Sequence, residues 1–174
     1  MVQLSSWSNF FVIIGSAAGA LIGLQFVVIA LLSSIRAQTA ARGARAYATP
    51  TIVFFSTVLL TAGTLSMPNQ TRGRVGVELL VIGVAGAIYV SQLGRHIRRV
   101  EGYTADRGDW LWFQILPLAA FLGLSTSGAV MWSRPGAALD ITGVGALLLL
   151  FVGVHNAWDG AVYMVVNPPG SRGD

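Results

Sequence analysis

The chain has 174 residues, 54% of them hydrophobic and 10% charged, with a formal charge of +4 and a mean hydropathy of +0.68. Soluble domains carry about a quarter charged residues, so this composition excludes an ordinary water-soluble globule and predicts an integral membrane protein. Cysteine and lysine are both absent; that excludes disulfides, thiolate metal centres, iron–sulfur clusters and cysteine nucleophiles, and it excludes a Schiff base to retinal or pyridoxal phosphate.

Five apolar stretches approach the roughly 20 residues needed to cross a bilayer. They run from about Asn9 to Ile35, Tyr47 to Met67, Val75 to Gly94, Asp109 to Trp132 and Ala138 to Val166. The first is free of charge, too long for a signal-peptide core and not preceded by basic residues, so it is expected to be retained as a helix. Pro68 closes the second, Pro117 interrupts the fourth as a candidate hinge, and Asn167-Pro168-Pro169 stops the fifth. The expected fold is an all-α, five-helix transmembrane bundle forming one domain over residues 1–174, with nothing left for a separate catalytic domain.

All eleven basic residues are arginine. Arg36, Arg42, Arg45, Arg95, Arg98, Arg99, Arg107 and Arg172 fall on one side of this topology, and Arg72, Arg74 and Arg134 on the other. The positive-inside rule then puts the N-terminus outside and the C-terminus in the cytoplasm. Trp7 and Trp132 mark the outer interface; Tyr47, Trp110, Trp112 and Tyr163 mark the inner one. The isoelectric point near 10.3 reflects arginines in short clusters between apolar segments, which suits interfacial anchoring better than nucleic acid. Arg95, Arg98 and Arg99 are expected to meet anionic lipid headgroups.

Gly15, Gly19 and Gly23 stand four residues apart, and Ala119, Gly123 and Ser127 repeat the spacing in the fourth span. Small residues at this interval let helix backbones approach closely in lipid, where hydrophobic drive between helices is weak. Two readings stand: packing against a neighbouring span of the same chain, or self-association of several chains. The string GSAAGALIGLQFVVIALL, Gly15 to Leu32, resembles the first helix of small, functionally uncharacterised multi-pass bacterial proteins. That resemblance implies a bacterial inner membrane and no activity.

Ionisable residues inside a span are functional candidates by default. His155 and Asp159 lie four apart in the fifth span, with Asn156 between them, so the pair can touch on one helix face. Depth counted along the helices places Gln25, Tyr89, Ser91, Gln92 and Gln114 in the same cytoplasmic third. His155, Asn156, Asp159, Gln114, Gln25 and Gln92 therefore form a candidate polar vestibule. The alternative is purely structural: Asp159 pairs with Arg95, Arg98 or Arg99, and the amides fix helix packing. Glu78 and Asp140 are expected at helix N-termini, where negative charge suits the helix dipole.

There is no HExxH, GxSxG, phosphate-binding glycine loop or pair of intramembrane carboxylates, so no enzyme, bound metal or cofactor is expected. Two histidines without cysteine make poor haem or zinc ligands. The leading expectation is a homo-oligomeric, channel-like protein for ions or small solutes, with a conduit between subunits and pH sensitivity from His155, because imidazole changes charge near neutrality. A non-conducting accessory subunit that binds lipid or other membrane subunits is the alternative, and a membrane cofactor carrier the third. The expected partners are lipid and other copies of the chain, not nucleic acid.

Overall fold

The computed structural model describes residues 4–35, 40–97 and 110–166, and every element among them is helical. In chain order these are α1 (Leu4–Ile35), α2 (Ala40–Leu65), α3 (Arg72–Ile97), a π-helical turn (Leu111–Ile115) running into α4 (Leu116–Val130), and α5 (Pro135–Val166). Arg98 and Arg99, two of the expected headgroup anchors, lie outside the described residues. Arg95 is exposed near the end of α3.

Four segments are long and apolar enough to cross a membrane: Ser5–Leu31, Arg72–Arg95, Leu111–Val130 and Pro135–Val162. The apolar part of α2, Thr49–Leu65, is shorter. At about 1.5 Å per residue it reaches roughly 25 Å, against a hydrocarbon core of about 30 Å. Its first turns, AARGARAYAT, hold Arg42 and Arg45 instead of apolar residues.

Two carboxylates expected at helix N-termini lie further in along their helices. Because α5 begins at Pro135, Asp140 lies in its second turn and is not its N-cap. Glu78 likewise lies beyond the first turn of α3, which begins at Arg72. There it joins a clamp over the α2–α3 connection: Gln70 Nε2 donates to the Thr64 carbonyl at 2.6 Å and to Glu78 Oε2 at 3.0 Å, with Arg74 at 4.0 Å from Glu78. Asn69 makes the turn with φ 58°, a conformation asparagine tolerates better than most residues.

The interior is closed by large side chains. Phe54, Phe55 and Val58 of α2, Phe121 and Leu124 of α4, and Leu149 and Val152 of α5 are all fully buried. The Phe54 and Phe121 rings meet at 6.2 Å. α3 packs closely on α4 through glycines: a β-carbon at Gly128 would stand 2.6 Å from the Gly76 carbonyl oxygen, and one at Gly83 would stand 2.7 Å from that of Phe121. Gly86 lies against the Phe121 ring. Such contact exists only where side chains are missing, and it supplies dispersion energy that lipid-solvated helices otherwise lack.

α1 is held mainly by its first half. Phe11, Ile14, Gly15 and Ala18 are buried, whereas no residue from Gly19 to Leu31 is. Trp7 stacks on Phe11 at 5.8 Å and, with Phe10, covers Gly143 of α5.

Candidate functional site

α5 carries the polar group, and its neighbours divide its circumference. Gly145 lies against Ala120 and Leu124 of α4, Gly153 against Phe55 of α2, and Gly143 against Trp7 and Phe10 of α1. At 3.6 residues per turn these lines share one side of the helix, and the inward line runs through Gly145, Leu149, Val152 and Asn156. All four are buried. His155 and Asp159 fall beyond the α4 line, on the side turned away from α1 and α2.

There they form a pair, His155 Nε2 standing 3.1 Å from Asp159 Oδ2, with 31% and 48% of the two side chains exposed. The expected i, i+4 contact is present, with His155 as the partner of Asp159 among the described residues. Trp112, from the π-helical turn, stacks on the imidazole with ring centroids 3.8 Å apart and 25° between planes, and tilts against Phe151 at 5.7 Å. The π turn, closed by the bond from the Leu116 N–H to the Leu111 carbonyl, immediately precedes Pro117 at the start of α4. Such turns accommodate one extra residue and re-aim the side chains they carry. Pro117 itself is buried.

The other members of the expected vestibule share this depth but occupy different sides. Asn156 faces the interior, 1% exposed, and neither Nδ2 nor Oδ1 has a partner. Gln114 turns to the opposite flank of α4, where its amide lies against Gly94 of α3. Gln92 is exposed on α3, and Gln25 is half-buried on α1. Common depth follows from counting residues along helices; convergence needs the helices' rotations, and these spread the amides around the bundle.

The two small-residue rows also divide. Gly15 packs on α2, where a β-carbon would come within 2.9 Å of that of Ala62. Gly19 and Gly23 have nothing within 4 Å of the β-carbon position. Along α4, Ala119 is exposed and Gly123 is 3.7 Å from Ile141 by the same measure. Ser127 is buried: its hydroxyl donates to the Ala138 carbonyl at 2.6 Å and stands 2.6 Å from Thr142 Oγ1, which donates to the same carbonyl at 2.9 Å. The glycines that bring α3 and α4 together, Gly76, Gly83, Gly86 and Gly128, escaped the sequence reading. Gly76 and Gly83 stand seven apart, a two-turn interval that a search for four-residue spacing passes over.

The chain matches no protein-family model, and no curated protein or solved structure is significantly similar to it.

Proposed function

We propose that the chain is a subunit of a homo-oligomeric, channel-like protein of a bacterial inner membrane, with the conduit for ions or small solutes lying between chains. In this reading α2 is the fifth span, the N-terminus is outside, and the seam between α4 and α5 borders the cytoplasmic end of the path. One observation carries it: the His155–Asp159 pair is half-exposed on the outward side of an apolar span, while phenylalanine and leucine side chains fill the interior. A pair of ionisable side chains facing acyl chains is costly. A second copy presenting a wet surface removes that cost, and the closed interior directs any path to the boundary between chains.

Flux from liposomes containing the purified protein tests this, comparing the wild type with the double variant His155→Ala, Asp159→Asn. Flux in the wild type that falls in the variant supports the reading. Absence of wild-type flux rejects conduction, and equal flux in both rejects this seam as the path.

A non-conducting accessory subunit is the second reading, favoured by the open faces of Gly19 and Gly23 on α1. Small residues left open among the described residues can admit a partner helix at close range. Gly19→Ile would then abolish copurification of a stoichiometric membrane partner; in the channel reading no such partner copurifies.

A further inference from the structure

The interior around Asn156 brings three irregularities to one level. In the antiparallel α2/α5 pair, Gly153 faces Phe55, so Asn156, three residues on, stands level with the turn of α2 holding Pro50 and Thr51, both buried. In the α4/α5 pair, His155 faces Trp112, so Asn156 is also level with the π turn Leu111–Ile115. Pro50 has no N–H to give the carbonyl of Ala46, and the π turn changes the hydrogen-bond spacing, the Leu116 N–H donating to the Leu111 carbonyl. Two helices thus depart from regular α-helical bonding where the third buries an amide with both ends unpaired.

We propose that this level of the bundle is a bound-water site, in which water donates to Asn156 Oδ1 and accepts from Nδ2, extending toward the backbone that Pro50 and the π turn disturb. A buried amide is hydrogen-bonded as a rule, and leaving both ends dry is expensive. A cation would satisfy only the oxygen. An apolar ligand would satisfy neither end. Water serves as both donor and acceptor. The site lies inside one chain and does not depend on conduction between chains.

X-ray hydroxyl-radical footprinting of the full chain in lipid nanodiscs reads bound water directly, because radicals form at the water and label adjacent side chains. The expected result, each rate taken relative to the side chain's intrinsic reactivity, is labelling of buried Pro50 and Phe55 above that of buried Phe121. In Asn156→Leu this excess is lost, while exposed Trp132 and Trp158 keep their rates. Thermal unfolding supplies a second readout: evicting bonded water lowers the midpoint of Asn156→Leu, whereas removing a dry, unpaired amide raises it. Wild-type labelling of Pro50 and Phe55 that, corrected for intrinsic reactivity, is no faster than that of Phe121, or a raised midpoint in the variant, overturns the proposal.

Discussion

Trp112 and His155 lie nearly face to face, ring centroids 3.8 Å apart, although 43 positions separate them in the chain. The contact ties the π turn before α4 to the C-terminal half of α5 and shields one face of the imidazole. A stacked aromatic pair contributes about 0.5–1.5 kcal/mol beyond the area it buries. A double-mutant cycle of Trp112→Leu with His155→Ala, followed by unfolding in detergent, is expected to return a coupling of that order. Strict additivity would mean that the rings are neighbours without energetic contact.

The α3/α4 seam should be the part of the bundle least tolerant of added bulk. At Gly83 a β-carbon meets the Phe121 carbonyl and the Ser125 backbone, and at Gly128 it meets the backbone of Gly76 and Leu80. Because backbone cannot rotate aside as a side chain does, Gly83→Ala and Gly128→Ala are each expected to cost about 1–3 kcal/mol. Gly23→Ala, made into open space, should change stability by less than about 1 kcal/mol. Thermal unfolding of the three variants side by side checks the ranking, and equal effects would contradict the seam.

Ser127, Thr142 and the Ala138 carbonyl form a small buried hydroxyl network between α4 and α5. Ser127→Ala removes one bond but leaves Thr142 donating to the same carbonyl, so a loss of about 0.5–1.5 kcal/mol is expected. Adding Thr142→Val should cost more than its own single-variant effect, because it removes the last side-chain donor to the carbonyl that the two hydroxyls share. Chemical unfolding of the two single variants and the double variant measures this.

Orientation can be read cleanly because the chain has no native cysteine. With the N-terminus outside, Ser66→Cys and Ser133→Cys, in the two connections following α2 and α4, face the exterior. Both should react with a membrane-impermeant maleimide in whole cells, whereas Ala105→Cys, between α3 and α4, should react only after lysis. The reverse pattern would overturn this arrangement, and a mixed one would mean that α3 or α4 does not cross.

The all-helical architecture, with four helices long and apolar enough to cross a membrane, is legible in the residues alone, because lipid leaves a backbone few ways to satisfy its hydrogen bonds and apolar length can be counted. The i, i+4 meeting of His155 and Asp159 is equally legible, since local helical geometry places them together before any packing. The π turn was not, because no residue type marks the extra residue that brings Trp112 to His155. Nor was the choice among the glycines: the conspicuous row at Gly15, Gly19 and Gly23 engages α2 through its first member, while Gly76, Gly83 and Gly128 make the close approach. Depth along the membrane is a sum over one helix and can be counted in sequence. The direction a residue faces depends on how five helices rotate against one another to bury Phe54, Phe55 and Phe121 together. Packing alone therefore put Asn156 inside, left the His155–Asp159 pair outside, and parted both from Gln114.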